Sequence, residues 1–193
     1  MPAETHYIKP NMLTTAGELF QKEMITFSGI KDYFLNVLEF DNTKDLTDIL
    51  PRDRTNVSVH VMFLYDHIES TTEIVKEKFS NTIEFIKNMP GVFSARGLAI
   101  GPKSIVPLHL DDMERKAFDL NDWYSVLIGI EVPSDDPNLL AVEVDKCIYT
   151  HDNKKSIIFD TQIPHSAWNN TDEWWVILKL YIKKECFNEN IDP

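Results

Sequence analysis

The sequence has little cysteine, and this scarcity excludes several classes of protein. Its 193 residues include two cysteines, Cys147 and Cys186, and their spacing fits neither a disulfide framework nor a zinc or redox motif. No apolar run approaches the roughly 20 residues that a membrane-spanning helix needs. The N-terminus shows neither the basic nor the apolar segment of a secretion signal. We therefore expect a cytoplasmic protein with no membrane partner.

Basic residues are scarce as well. The chain has 19 Lys plus Arg against 31 Asp plus Glu, which gives a formal net charge of −12. A nucleic-acid-binding protein needs a basic face to neutralise phosphates, so nucleic acid is not expected as a partner. The hydrophobic content of 43%, with ten Pro and six Gly, is ordinary for a globular protein. The composition predicts one domain over 1–193 and leaves the oligomeric state open.

The pattern of apolar residues divides the chain near residue 90. Apolar residues recur at helical spacing over 19–24, 30–38 and 70–88, which predicts a helical N-terminal part over 1–90. Ser70 and Glu73 resemble a capping box at the start of the third helix, and Pro90 with Gly91 ends it. The segment Val57–Tyr65 is ambiguous between strand and helix, and we assign it to helix.

Residues 91–185 have the pattern of a β core. Short runs rich in β-branched and aromatic residues alternate there with turn signals, which favours an antiparallel sandwich or barrel. The predicted fold is thus mainly β, with helices of the N-terminal part supporting the core. The runs are Ser94–Ile100, Ser104–Leu110, Tyr124–Val132, Leu140–Tyr149, Ser156–Phe159 and Trp174–Ile182.

Two histidines and one aspartate form the candidate site. His109 and Asp111 stand two residues apart at the end of a predicted strand, so their side chains share one face. His165, in a predicted later loop, offers a third ligand. Two His and one carboxylate on one face of an octahedron are the arrangement typical of non-haem Fe(II) sites. Alone, the His-x-Asp pair also arises by chance on protein surfaces.

The residues around His165 resemble a known family. Residues 159–169 read F-D-x4-H-x-A-W-N, and residues 101–111 read G-P-K-S-I-V-P-L-H-L-D. Over about 92–183 the chain is similar to the aspartyl/asparaginyl β-hydroxylases. The resemblance implies a double-stranded β-helix (jelly-roll, cupin-like) fold, with Fe(II), 2-oxoglutarate as co-substrate and O2. It also implies that His109, Asp111 and His165 are metal ligands and catalytic residues.

The co-substrate pocket departs from the family pattern. The family has an Arg ten residues beyond the distal His, and this position is Trp175 here; a second basic pair aligns with Ser125 and Leu127. A buried dicarboxylate needs a cationic partner. Lys179, on the same strand face as Trp175, is the best substitute, although it could also lie on the solvent side. Arg96 is the second candidate.

These observations predict an Fe(II)/2-oxoglutarate-dependent hydroxylase. Its substrate would be a small molecule, either an amino acid or an amino-acid derivative, free or peptide-bound. One alternative is a metal-dependent cupin-like oxygenase that does not use 2-oxoglutarate, which the residue Trp175 would explain. The other is a cupin-like module that binds a small ligand without turnover. Asn169, near the distal His, either hydrogen-bonds close to the metal or ends a turn.

Overall fold

The computed structural model describes residues 7–26, 58–66, 71–111, 122–151 and 156–187. Its helices are α1 (Pro10–Thr26), α2 (Glu73–Lys78) and α3 (Ser80–Lys87), with a 3-10 turn at Lys184–Cys186. Its strands are β1 (Val59–Asp66), β2 (Val92–Ile100), β3 (Ser104–His109), β4 (Trp123–Glu131), β5 (Leu140–Val144), β6 (Cys147–Tyr149), β7 (Ser156–Asp160), β8 (His165–Asn169) and β9 (Trp175–Lys183). None of the described helices has the length and apolarity to cross a membrane.

The strands form two antiparallel sheets. The five-stranded sheet has the order β1-β2-β9-β4-β7, and the four-stranded sheet has the order β3-β8-β5-β6. Strands that follow each other along the chain often lie in different sheets, so the chain crosses repeatedly from one sheet to the other. This is the arrangement of a jelly-roll, and the predicted mainly β, cupin-like core is confirmed.

The central strand β9 separates two hydrophobic cores. Its even-numbered residues, Val176 to Ile182, pack with the helices on the outer face of the five-stranded sheet. Trp175 and Ile177 point the other way and pack with residues of the four-stranded sheet. Because strand side chains alternate, Lys179 and Tyr181 lie on this same inner face. The sequence of β9 therefore places a cation inside the barrel.

The assignment of Val57–Tyr65 to helix is wrong. From Val59 onward the segment is strand β1, which pairs with β2 at the edge of the five-stranded sheet. Its even residues, such as Met62 and Leu64, are buried, and the residues between them are half-buried. A strand covered on both faces shows no clear polar alternation, which is why the pattern was ambiguous. The β core thus begins well before residue 91.

The helix predicted over 70–88 is two helices. α2 and α3 meet at Phe79, a fully buried residue whose ring stacks on Phe20 of α1 with centroids 5.2 Å apart. The N-terminal residue that caps α2 is Thr72, without a side-chain hydrogen bond, so the capping box is not formed at Glu73. Ser70 and the segment 30–38 lie outside the described residues.

Two further differences concern short strands. The run predicted as one strand over 140–149 is divided by a turn at Asp145 and Lys146, which both have positive φ (46° and 65°). His165, expected in a loop, is the first residue of β8. A five-residue strand whose exposed positions are polar or aromatic gives a weak signal in the sequence.

A buried carboxylate ties α1 to the start of α3. Both oxygens of Glu23 accept hydrogen bonds: Oε1 from the backbone N and Nδ2 of Asn81, and Oε2 from the backbone N and Oγ1 of Thr82. Glu23 is 8% exposed. Its negative charge also lies at the positive end of the α3 dipole. The contact fixes the helical layer on the outer face of the sheet.

We expect Glu23→Gln to lower the free energy of unfolding by about 1–3 kcal/mol, because an amide nitrogen replaces one acceptor oxygen and faces backbone N–H groups. Chemical denaturation followed by circular dichroism measures the change. Glu84→Gln, an exposed site on α3, is the control and should stay within about 0.5 kcal/mol. Equal stabilities for the two variants would contradict the assigned role.

Candidate metal centre

Three potential metal ligands converge at one end of the four-stranded sheet. β3 and β8 are antiparallel neighbours, and their register places His109 opposite His165. Asp111 follows two residues after His109. One ligand atom from each of the three residues lies within 4.8 Å of the other two. Among the described residues this cluster brings together the two imidazoles and the carboxylate that the sequence singled out.

Backbone contacts fix both imidazole rings. Nδ1 of His109 lies 2.7 Å from the carbonyl of Pro107, and Nδ1 of His165 lies 3.0 Å from the carbonyl of Ile163. A carbonyl oxygen only accepts, so each Nδ1 carries the proton and donates it. In a neutral ring the lone pair is then on Nε2. Nε2 of His109 lies 3.8 Å and Nε2 of His165 lies 3.5 Å from Oδ1 of Asp111. The three atoms that could coordinate a metal therefore lie close together.

The surroundings favour the neutral form of His109. Burial lowers the pKa of His109, and the neighbouring His165 adds to this effect. His165 is buried beneath the ring of Phe159, whose centroid lies 4.6 Å from its own. The His109 side chain keeps 31% of its surface exposed, whereas that of His165 keeps 6%. The neutral form is the one that binds a metal.

The carboxylate of Asp111 is ionised and held from two sides. Nζ of Lys179 lies 2.7 Å from Oδ1, and the hydroxyl of Ser125 donates to Oδ2 at 3.0 Å. Burial alone would raise the pKa of Asp111, but the ammonium of Lys179 and the contact with His165 hold it well below its usual range. Burial likewise opposes the charge of Lys179, yet Asp111 and Tyr181 raise its pKa above the usual value. The two residues form a buried ion pair.

A second buried cation lies beside Lys179. Arg96 of β2 is the register partner of Lys179 across the sheet, and both residues are buried. Nζ of Lys179 lies 4.9 Å and Cζ of Arg96 lies 5.8 Å from the centroid of the Tyr181 ring. Burial raises the pKa of Tyr181 to about 12, so the phenol is neutral. The alternative that Lys179 faces solvent is therefore wrong.

Tyr181 was missed by the sequence reasoning. The signal that could have found it is the alternation of β9, which places every second residue after Trp175 on the inner face. A tyrosine two positions beyond a buried lysine then lies close enough to contact the ammonium.

Trp175 and Ser125, the positions aligned with basic residues of the family, have other contacts. Trp175 is fully buried in the core between the sheets, where its ring meets that of His151 edge-on at 5.5 Å. Its buried Nε1 has no hydrogen-bond partner among the described residues. Ser125 contacts the metal-ligand candidate Asp111. Participation of Trp175 or Ser125 in co-substrate binding stays a prediction.

Asn169 lies at the far end of β8 from His165 and has no contact with the candidate ligands. Its Nδ2 is within 3.1 Å of the carbonyls of Ile100 and Gly101 and 2.8 Å from that of Glu173. Its Oδ1 accepts from the backbone N and the hydroxyl of Thr171. Of the two interpretations of Asn169, the structure supports the turn.

The three ligands fit a divalent metal that is neither a very hard nor a very soft Lewis acid. The set offers two imidazole nitrogens and one carboxylate oxygen, all buried or half-buried and each held by a further contact. Thiolates, which favour zinc or clusters, are not part of it: Cys147 is exposed on β6 and Cys186 is buried near the helices. A two-His, one-carboxylate set is the pattern of non-haem iron.

Comparisons with known proteins identify a matching family, a protein of similar sequence and solved structures of similar fold. The family described as Aspartyl/Asparaginyl beta-hydroxylase matches residues 26–185. The ornithine lipid ester-linked acyl 2-hydroxylase of Rhizobium tropici is 30% identical over 99 residues, which are 51% of this chain. The match covers 32% of that protein, so the chain spans about a third of the relative's length.

Two solved structures are examples of the likeness in fold. The cupin domain of Schizosaccharomyces pombe Cnp3 has a TM-score of 0.41 at 8% identity, over 66% of this chain and 63% of that one. A cupin-2 domain from Rhodospirillum rubrum also has a TM-score of 0.41, at 10% identity, over 65% of this chain and 60% of that one.

Proposed function

Because the chain belongs to the aspartyl/asparaginyl β-hydroxylase family, we propose that it is an Fe(II)- and 2-oxoglutarate-dependent oxygenase. It would hydroxylate a C–H bond of an amino acid or a small amino-acid-derived metabolite. The observation that carries the proposal is the cluster of His109, Asp111 and His165, with ligand atoms within 4.8 Å of one another. The hydroxylase family and the cupin-like fold are consistent with it.

The three residues divide the work of holding the metal. His109 and His165 would bind through Nε2, since each Nδ1 donates to a backbone carbonyl. Asp111 would bind through Oδ1, the oxygen nearer to both imidazoles. Bound ferrous iron would supply the redox chemistry with dioxygen, which no amino-acid side chain provides. Ser125 fixes the rotation of the carboxylate by donating to its other oxygen.

Two buried cations support the use of a dicarboxylate. Burying Lys or Arg is costly, so two such side chains on one face favour a site that holds negative charge. Lys179, which contacts Asp111, and its register partner Arg96 are both buried on the inner face of the five-stranded sheet. We propose that they take over the role of the Arg that the family places where Trp175 stands here. The far carboxylate of 2-oxoglutarate would then contact the five-stranded sheet.

The substrate class rests on the family and on its relative. The Rhizobium tropici protein is named as acting on an ornithine lipid, itself a derivative of an amino acid. We therefore propose a substrate with an amino-acid group. A substrate would approach on the side of His109, whose side chain is more exposed than that of His165.

One alternative function has an observation in its favour. Trp175 is fully buried among apolar residues, so the position of the family's Arg offers no charge. An enzyme that uses the same metal without 2-oxoglutarate would need no positive charge at this position. The two functions differ in their products, because only the first releases succinate as it consumes oxygen.

An anaerobic titration tests the proposal. Addition of Fe(II) and then of 2-oxoglutarate to metal-free protein should produce the visible charge-transfer band of the chelate. His165→Ala should abolish the band, because a buried imidazole ligand is lost. Iron binding without a band, and oxygen use without succinate, would favour the alternative enzyme. Protein that binds iron and 2-oxoglutarate but never consumes oxygen would be a binding module, and the proposed activity would be wrong.

A further inference from the structure

The ammonium of Lys179 contacts the oxygen that a metal would need. Oδ1 of Asp111 lies 3.5 Å from Nε2 of His165 and 3.8 Å from Nε2 of His109. Nζ of Lys179 lies 2.7 Å from the same Oδ1. The second oxygen, Oδ2, is occupied by the hydroxyl of Ser125. A metal between the two imidazoles would bring a second cation to the oxygen that Lys179 already contacts, and the two positive charges would repel each other.

We propose that Lys179 is a resident counter-cation that the metal displaces from Asp111, and that the displaced ammonium then recruits an anionic ligand to the metal. The identity of the metal and of the anion rests on the proposed function, whereas the competition for Oδ1 rests on the geometry of this chain.

Displacement is feasible because Lys179 has a second partner. The inner-face neighbour Tyr181 offers its phenol to the ammonium as a hydrogen-bond partner, and Nζ already lies 4.9 Å from the centroid of its ring. The lysine side chain has four rotatable methylene groups, so Nζ can leave Oδ1 without movement of β9. The side chain is 10% exposed, so the displaced charge stays inside the protein.

Binding of the metal gives the site a net positive charge, so the site then favours an anionic ligand. Without metal, the ammonium and the carboxylate neutralise each other. A divalent metal raises the total over these groups to +2, in a place where unbalanced charge is costly. A dianion such as 2-oxoglutarate would offset this excess of positive charge. Anion binding should therefore depend on the metal, and the order of binding should be metal first.

The first experiment measures metal affinity without turnover. Zn²⁺, which has no redox chemistry, is titrated into metal-free protein in competition with a chromophoric chelator. Lys179→Met keeps an unbranched side chain one atom shorter and removes the charge, so it should bind Zn²⁺ about tenfold to a thousandfold more tightly than the unchanged chain. Lys183→Met, on the same strand but exposed, is the control and should leave the affinity unchanged.

The second experiment measures anion binding by calorimetry. The unchanged chain should bind 2-oxoglutarate when Zn²⁺ is present and should show no heat of binding when it is absent. Lys179→Met should bind Zn²⁺ more tightly but 2-oxoglutarate at least about tenfold more weakly. These opposite shifts separate displacement from a merely structural role, which would weaken both ligands together.

Several results would overturn the inference. If Lys179→Met protein binds Zn²⁺ with unchanged or lower affinity, the metal does not displace Lys179 from Asp111. The proposal of a metal centre would not be affected by that result. 2-Oxoglutarate binding that is equal with and without Zn²⁺ would disprove the recruitment. Absence of Zn²⁺ binding by every variant would remove the metal centre as well. If Lys179→Met does not fold without metal, Lys179→Gln replaces it, since the amide still donates to Asp111 without a charge.

Discussion

Asp111→Asn protein is expected to purify without iron and to hydroxylate at less than about a thousandth of the unchanged rate, the scale of loss that follows removal of a group on which the reaction depends. The amide is a poor metal ligand, and it leaves the ammonium of Lys179 buried without its carboxylate. Iron content is measured by elemental analysis, and turnover by oxygen consumption and succinate release.

A matched substitution controls for the lost charge. Asp145→Asn removes a carboxylate from the exposed turn between β5 and β6, at a positive φ that asparagine tolerates. It should retain the iron content and the rate of the unchanged chain. Asp111→Asn protein with a full complement of iron would show that Asp111 is not a ligand, and the proposed donor set would have to be abandoned.

The largest loss of stability outside the metal site is expected for Asn169→Asp. The amide nitrogen of Asn169 faces three carbonyl oxygens, and the residue is fully buried. An aspartate has the same shape but presents an acceptor to those acceptors. We expect a loss of about 3 kcal/mol or more in the free energy of unfolding, and a melting temperature lower by about 10 °C.

Asn170→Asp provides the comparison at the next residue. Asn170 is exposed, and its amide donates to the carbonyl of Asn138 at the surface, so the same change of atoms should cost less than about 1 kcal/mol. Calorimetric scans of the two variants measure the difference. Similar melting temperatures would mean that the buried network around Asn169 does not stabilise the junction of β8, β9 and β2.

The site could be predicted from local spacing where its residues lie close in sequence. His109 is the last residue of β3 and Asp111 follows two residues later, so their short separation brings them together. Strand alternation put Lys179 on the same face as Trp175, but the sequence left open whether that face meets solvent. The partner of Lys179 could not be predicted in this way. Asp111 is 68 residues away and follows a strand of the other sheet, so only the closure of the barrel brings the two charges together.

Most strands after residue 91 lie where their β-branched and aromatic content placed them, including β4 and β9, which are buried on both faces. The helical spacing over 19–24 marked only the second half of α1. The strand β1 was missed because apolar residues at both even and odd positions fit either period, and the break at Phe79 was missed because it serves a tertiary contact with Phe20. In both cases the packing of distant residues overrides the local pattern.

Each candidate imidazole is held by the carbonyl two residues before it on its own chain, at Pro107 and at Ile163. The orientation of each ring is thus set when its strand forms and does not depend on a bound ion. The rotational entropy of the rings is lost during folding and not during metal uptake. Both rings should therefore keep their orientation after an ion leaves, so the same molecule can be emptied and reloaded without refolding.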